Sequence, residues 1–294
     1  MYRLGVGVRA IVAVNAHASR LRDPEAVLEA ILAATAGTGV EVGGIVAEDE
    51  DDLLEAIDAA DGGRLVLAGG DGSVHFALNA APGPLEIGLI PMGQANNIAR
   101  ALGLPRDVPR AARRAVLAEA RPIDVLRVET PQRALYGIEG VSAGLHADAR
   151  MRYESVDSGH LIEGAGAFAS ALGRYTPWTF DLELDGAPAF DGRAAGLFLS
   201  NFPLFAYGFK VDPLADVGDG LLEAVLLEAE SRPRVARLVL SAYRGTLDRR
   251  RDVTITPARE AVIASPVPLV CDSEVLGTTT AAVRVEQGRL KLAA

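Results

Sequence analysis

The stretch Gly69-Gly70-Asp71-Gly72-Ser73 lies between an apolar run, residues 65–68, and a run with helical patterning, residues 73–80. Glycines let a backbone turn sharply and approach a ligand, and the N–H groups at a helix start attract phosphate. An aspartate among them has the wrong sign to meet a phosphate alone. A tight turn with Ser73 as a helix cap is the plainer explanation, and the residues by themselves leave both readings open. A second junction of the same kind is Pro91-Met92-Gly93-Gln94-Ala95-Asn96-Asn97, where Asn96 alone reads as a helix cap. The third is Pro122-Ile123-Asp124-Val125-Leu126, one acid inside an apolar strand. A carboxylate buried without a partner is costly, so Asp124 must meet a metal, an arginine or hydrogen-bond donors.

These junctions are placed by the elements around them. The first 125 or so residues alternate between strand and helix patterns. Strands are predicted at 10–14, 40–46, 65–68 and 87–90, with helices at 24–35, 51–60, 73–80, 96–102 and 110–119. That alternation predicts a parallel sheet with crossover helices, whose ligands bind at the carboxyl ends of the strands. All three acid- or amide-bearing stretches fall at or near such ends. After Asp124 come short alternating runs at 178–184, 196–200, 221–227, 253–256, 261–264 and 282–285, with one helix at 232–245. This is the pattern of an antiparallel sheet domain. The expected division is 1–125 and 126–294, with the last residues returning to the first domain. Gly5 to Ala10 matches a dinucleotide fingerprint in outline, but it precedes a strand where it should follow one.

Bulk properties exclude several functions. With 294 residues and 49% hydrophobic content, the chain can build two cores. The net charge of −10 argues against a nucleic-acid partner, because that affinity comes from displacing counterions with Lys and Arg. Only Lys210 and Lys291 are lysines, so there is neither a Walker loop nor a protein-kinase signature. The single cysteine, Cys271, excludes an internal disulfide and reads as an inert core thiol. No secretory signal and no membrane-spanning run is seen, and a cytoplasmic location is expected. His17, His75, His146 and His160 are scattered, with His75 expected to pack locally. Arg110, Arg113, Arg114 and Arg121 read as a solvated helix face, the charge runs 48–52 and 249–252 as solvated surface, and 202–209 as core that could alternatively line an acyl chain.

In order and spacing, "GGDGSVHFALNA", "IGLIPMGQANNIARALGLP" and "RPIDVLRV" resemble the catalytic domain shared by diacylglycerol kinases, sphingosine kinases and soluble bacterial lipid kinases. The resemblance continues through "VSAGLHADA", "DPLADVGDGLLEAVLL" and "CDSE", over nearly the whole chain. It implies a fold of α/β plus β type: a nucleotide-binding parallel-sheet domain like that of NAD kinases and phosphofructokinases, then a β-sandwich domain covering the lipid. It also implies ATP and Mg²⁺ as cofactors and a lipid hydroxyl as acceptor, diacylglycerol by default, for phospholipid metabolism. A soluble acceptor, as in NAD kinases, and a non-catalytic nucleotide-binding protein are the alternatives. The implied partners are a lipid substrate presented at a membrane surface, with peripheral membrane contact, and no nucleic acid; a homodimer is compatible with it.

The resemblance carries roles to particular residues. Asn15, Gly69, Gly70, Asp71, Gly72, Ser73, Gly93, Gln94 and Asn96 would hold the nucleotide. Asp71 can sit beside polyphosphate if Mg²⁺ lies between them, because the ion reverses the local electrostatics. Asp124 and Asn97 would complete the network around that ion. The catalytic base would lie in Asp272-Ser273-Glu274, at Asp272 or Glu274. A second, structural Mg²⁺ is implied at the turn containing Asp216, Asp219 and Leu221. The chain departs from the family pattern at Asn97, usually aspartate, at Ser73 and Gln94, both usually threonine, at Ser273, usually glycine, and in "NAHAS", which lacks the family's proline and glycine.

Overall fold

The computed structural model describes residues 9–60, 62–154, 169–205, 209–211 and 215–293. The chain divides into two compact units, residues 1–124 with 287–294, and residues 125–286.

The first unit is built on a parallel sheet. Strands β1 (Arg9–Asn15), β2 (Glu41–Ala47), β3 (Arg64–Gly69) and β4 (Leu85–Pro91) are ordered β2-β1-β3-β4. The last residues of the chain add a fifth strand, with Leu290–Ala293 parallel to β4. The near-continuous apolar runs of β1 and β3 are buried along almost their whole length, as strands covered on both faces require.

Crossover helices begin where capping acids dictate. Asp23 accepts a hydrogen bond from the Ala26 N–H at 3.0 Å and opens α1 (Pro24–Thr35). Asp49 does the same from Asp52 for α2 (Glu50–Ala59), at 3.0 Å. Helix α3 (Asp71–Ala80) follows β3 without a side-chain cap of its own, and α4 (Asn97–Ala101) follows β4. Helix α5 (Val108–Leu117) starts from Asp107, which accepts from the Arg110 N–H at 3.1 Å, and packs against α1. Its C-terminal carbonyls are held by Arg64: the buried guanidinium donates to the carbonyls of Ala115 and Val116 at 3.0 and 2.8 Å and pairs with Glu86 at 2.8 Å.

Strand β5 (Ala120–Glu129) leads into the second unit, which is antiparallel: β6 (Ala134–Gly137), β7 (Gly140–Gly144), β8 (Trp178–Leu184), β9 (Ala187–Ala194), β10 (Gly196–Ser200), β13 (Leu222–Leu227), β14 (Val253–Ala258), β15 (Glu260–Cys271) and β16 (Glu274–Ala293), with a small β11 (Leu204–Phe205) and β12 (Phe209–Lys210) pair. Strand β15 serves two sets of partners. Its first part pairs with β8, its last part with β7, and its register against β16 shifts between Ile263 and Val267. Such an irregularity lets one strand turn from one sheet into another. Phe180 and Leu182 from β8, Val141 from β7, Leu197 and Leu199 from β10 and Leu222 from β13 meet in one core.

Two helices complete this unit. Helix α6 (Leu145–Glu154) follows β7, and α7 (Arg232–Arg244) buries Val235, Leu238 and Ala242 against Phe198, Phe205 and Val225. Gly245, at φ 66°, closes α7 in the left-handed conformation, one residue inside the helix expected over 232–245. The α6 helix, the β5–β6 hairpin and the 20-residue length of β16 are absent from the sequence reading. Interruptions such as Gly277 and Gly288, both at positive φ, break the alternation that would have revealed β16 as one strand. No helix among the described residues is long and apolar enough to cross a membrane.

Removing Arg64 strands Glu86 and two helix-end carbonyls at once. We expect Arg64→Ala to cost about 2–4 kcal/mol in urea unfolding, whereas Arg113→Ala on the exposed face of α5 should stay within about 0.5 kcal/mol. Equal effects would show that Arg64 is no clamp.

Candidate functional site

In the first unit the sheet order reverses between β1 and β3, since the chain runs from β1 outward to β2 and then returns to the other side of β1. Open α/β sheets bind ligands outside the carboxyl ends of the strands at such a point. Asn15, at the end of β1, donates through Nδ2 to Ser73 Oγ at 3.0 Å, and its Oδ1 accepts from the His17 N–H at 2.9 Å. The loops after β1 and β3 are thereby joined.

The loops after β3 and β4 are joined more tightly. Met92 N–H donates to the Gly69 carbonyl at 2.8 Å. Gly70 and Gly93 lie backbone against backbone, and a Cβ on Gly93 would come within 2.5 Å of Gly70 Cα and 2.9 Å of Asn96 Oδ1. Gly93 has no room for a side chain, and a Cβ on Gly70 would press on the Gly93 backbone at 3.0 Å. Asn96 adopts the left-handed conformation, φ 48° and ψ 49°, which asparagine tolerates better than most residues. Its Oδ1 accepts from the Gly93 N–H at 2.9 Å, and its Nδ2 donates to the Gly93 carbonyl.

Asp71 completes the assembly. Its Oδ2 accepts from the Asn97 N–H at 2.9 Å and its Oδ1 from the Ile98 N–H at 3.1 Å. The carboxylate therefore caps α4 from the neighbouring loop. The sequence assigned that cap to Asn96; Asn96 does stand at the N-cap position, but its side chain makes no capping bond to the helix and clasps Gly93 instead. Gly72, in the first turn of α3, faces open space, since a Cβ there would meet nothing within 4 Å. Gln94 is exposed, while Asn97 and Asp124 are buried.

The donor set suits a nucleotide-bound Mg²⁺. That ion keeps several waters and takes one or two carboxylates together with phosphate oxygens, rather than an all-protein cage. Asp71, held in place by two amides, offers such a carboxylate beside an open glycine. Among the described residues no three His, Cys, Asp or Glu side chains come together as a metal cage. Residues missed in the sequence border this region: Arg20, Arg100 and Arg106 line a cleft of about 370 Å³ with Pro91, Asn96 and Leu104. Their positive charge suits a phosphorylated ligand, and the signal was available as arginines that follow the loops after β1 and β4.

In the second unit, Asp272 sits at φ 50° and accepts three backbone hydrogen bonds: Ile138 N–H on Oδ2 at 2.8 Å, and the N–H groups of Glu139 and Gly140 on Oδ1 at 2.9 and 3.0 Å. It holds the bend between β6 and β7. Glu274 pairs instead with the half-exposed guanidinium of Arg133, and Arg150 donates to the Ser273 carbonyl at 3.1 Å. The two acids that the sequence left as alternatives thus occupy different settings. Arg133 and Arg150 were not singled out from sequence.

At the Asp216–Leu221 turn, Asp216 Oδ1 accepts from the Gly218 N–H at 3.2 Å and Asp219 Oδ1 from the Leu221 N–H at 3.0 Å. Residues 212–214 of the same motif, with His160 and residues 206–208, lie outside the described residues. Phe202 and Phe205 are core, and burial pushes the Cys271 thiol pKa well up, in keeping with an inert thiol. His75 is buried and packs beside Asn79.

His146 lies within 2.7 Å of Ser142 Oγ through Nδ1, against the Phe198 ring at 5.5 Å. Burial, aided by Arg150, lowers its pKa to about 4. Unfolded, the imidazole titrates near 6.5, so between those values the unfolded chain binds the extra proton and stability falls as pH falls. We expect this group to withdraw up to about 3 kcal/mol between pH 6.5 and 4 and to contribute no pH dependence above 7. Denaturant unfolding of wild type and His146→Gln at several pH values checks it: the difference between them should shift across that window, and a constant difference would contradict the assignment.

Comparison with known proteins places this geometry in a family. Residues 9–128 match the diacylglycerol kinase catalytic domain, and residues 139–294 match the YegS C-terminal NAD kinase beta sandwich-like domain. A diacylglycerol kinase of Mycobacterium tuberculosis is 30% identical over 239 residues, 77% of this chain and 75% of that protein. A probable YegS-like lipid kinase of Stenotrophomonas maltophilia is 27% identical over 266 residues, 83% of this chain and 84% of its own length. The crystal structure of a putative diacylglycerol kinase from Bacillus anthracis superposes with a TM-score of 0.77 at 16% identity, covering 97% of this chain and 96% of that one. An NAD kinase from Archaeoglobus fulgidus, solved in complex with ATP, gives 0.56 at 13% identity, covering 98% and 94%. At those identities the two structures bear on fold alone, and they agree with the expected parallel-sheet domain followed by a β-sandwich-like one. Both parts of the sequence match, in the order the motifs require, and the chain belongs to the diacylglycerol kinase and YegS-like lipid kinase family.

Proposed function

We propose that this protein transfers the γ-phosphate of ATP to the hydroxyl of a lipid, with Mg²⁺ as cofactor and diacylglycerol as the default acceptor. The observation that carries the reading is the Asp71 carboxylate, fixed by two α4 amides beside an open glycine turn at the sheet's switch point. Membership of a kinase family supports it, as does the diacylglycerol kinase relative.

The roles follow from the chemistry. Phosphoryl transfer asks a protein mainly to position reactants and to neutralise charge. Gly69 to Ser73 would surround the phosphates, with the Ser73 N–H closing the turn onto the Gly70 carbonyl at 3.0 Å and Asn15 holding the Ser73 hydroxyl, and Gly93, Gln94 and Asn96 would shape the adjoining loop. When bound, Mg²⁺ would neutralise phosphate charge, held through Asp71 with Asp124 and Asn97 behind it. The new bond joins the acceptor oxygen to the γ-phosphorus, the bond to the bridging oxygen breaks with its electron pair leaving on ADP, and a carboxylate takes the hydroxyl proton. We assign that proton to Glu274. It pairs with the half-exposed Arg133 guanidinium, whereas the Asp272 oxygens accept from three backbone N–H groups. Asp272 then acts as the positioning residue of the turn. Asp216, Asp219 and the Leu221 main chain would hold the second, structural Mg²⁺.

The test is a γ-labelled ATP assay of the full chain with diacylglycerol in mixed micelles and, in parallel, with NAD, each with and without Mg²⁺. Label should enter the lipid only when Mg²⁺ is present. Label in NAD instead would establish the soluble-acceptor alternative, and ATP binding with no labelled acceptor would establish a non-catalytic protein. Glu274→Gln is expected to lower kcat about 100-fold or more with little change in KM for ATP. Asp272→Asn should also lower the unfolding free energy, by about 2 kcal/mol, because an amide group then faces backbone donors. Should Asp272→Asn leave stability intact and abolish the rate, while Glu274→Gln stays active, the two roles are reversed.

A further inference from the structure

We propose that the outward face of α7 docks on the surface of an anionic lipid bilayer. In a chain of net charge −10, seven of the twenty residues from Arg232 to Arg251 are arginine, and Asp248 is the one acid among them. The helix itself carries Arg232, Arg234, Arg237 and Arg244 and no acid. Its inward side is committed to the core through Val235, Leu238 and Ala242. Opposite that side, at helical spacing, stand Pro233, Arg237, Leu240 and Arg244, with Tyr243 alongside.

Leu240 is 45% exposed and Tyr243 is 74% exposed; with Leu54 they are the large hydrophobic side chains left in solvent among the described residues. Tyr243 meets the Phe209 ring edge-on at 6.4 Å. Lys210, one of two lysines in the chain, passes close to Gly245 at the end of the helix, where a Cβ would sit 2.6 Å from its Cδ. Arg250 is partly neutralised by Asp252 at 2.7 Å. On the helix, exposed Arg237 and Arg244 stand three and four residues from Leu240, and Lys210 lies at the helix end.

That combination selects the partner. A basic helix with an apolar residue on its outward face lies in a bilayer interface, its arginines reaching lipid phosphates, its Tyr at headgroup depth and its Leu below. A nucleic acid would be met by the arginines but would leave Leu240 in water. A second copy of the chain would bring two arginine-rich faces together, which like charge opposes. The acidic remainder of the chain is repelled by an anionic surface, so the same field would orient the molecule with α7 downward. The inference concerns where the chain meets lipid and holds whichever hydroxyl is phosphorylated.

The test is sedimentation of the full chain with vesicles of phosphatidylcholine alone and of phosphatidylcholine mixed with phosphatidylglycerol, at low and high salt. Binding is expected to the mixed vesicles, weakening with salt. Each arginine removed should weaken it about fivefold, so Arg237→Ala with Arg244→Ala should lose more than an order of magnitude. Arg110→Ala with Arg113→Ala on α5 should lose little. Leu240→Ser with Tyr243→Ser keeps every charge and guards against a misfolded arginine variant; it too should weaken binding, with the salt dependence retained. Activity of these variants on a short-chain acceptor dissolved as monomer should match wild type. The proposal is overturned by no binding to mixed vesicles, by equal binding to neutral ones, or by binding indifferent to both α7 variants. Tighter binding to a DNA duplex through the same arginines, or a dimer that these substitutions dissociate, would also overturn it.

Discussion

The candidate site of the first unit depends on one carboxylate. Asp71 leaves the loop after β3 and accepts the first two available N–H groups of α4, which belong to the loop after β4. These two short glycine-bearing connections also meet through the Met92 N–H and the Gly69 carbonyl, and the carboxylate adds the start of α4 to that junction. Charge-assisted bonds to an anion are roughly twice as strong as neutral ones, and here they also complement the positive end of a helix. The Gly70–Gly93 contact is the steric counterpart, since the loops can approach this closely only without Cβ atoms. The two amides fix where the Asp71 carboxylate stands, and a cation between it and a phosphate would reconcile their charges.

The same device recurs in the second unit. Asp272, in the left-handed conformation, takes three amides of the β6–β7 bend, as Asp71 takes two at the start of α4. In both places an acid that sequence spacing marks for chemistry is anchored in the backbone. This distinction separates Asp272 from Glu274, which have the same charge and lie two residues apart. Pairing with a side chain leaves an acid adjustable, whereas pairing with three main-chain donors makes it part of the scaffold.

The parallel sheet was legible because buried strands are apolar along their length and alternate with runs of helical patterning. The loops were legible because glycine, asparagine and aspartate rarely cluster at strand ends without a backbone reason. What the sequence hid was set by tertiary contacts. Nothing local says that Asp71 caps a helix 26 residues away, that Asn96 turns back on Gly93, or that Arg133 meets Glu274. Strand β16 was hidden because its glycines look like turns, and the exposure of Leu240 and Tyr243 on α7 was hidden because the side of a helix left in solvent is decided by what packs against the other. The family resemblance supplied roles that spacing alone left open between chemistry and capping.

The central claim is that Asp71 and the paired glycine loops form the seat of a metal-bound nucleotide. Crystals grown with a non-hydrolysable ATP analogue and Mn²⁺, whose anomalous signal locates the ion directly, test it. The account predicts the triphosphate along Gly70 to Gly72 and a manganese peak reached from Asp71 directly or through one water. A nucleotide seated away from these loops, or an ion with no link to residue 71, would contradict it.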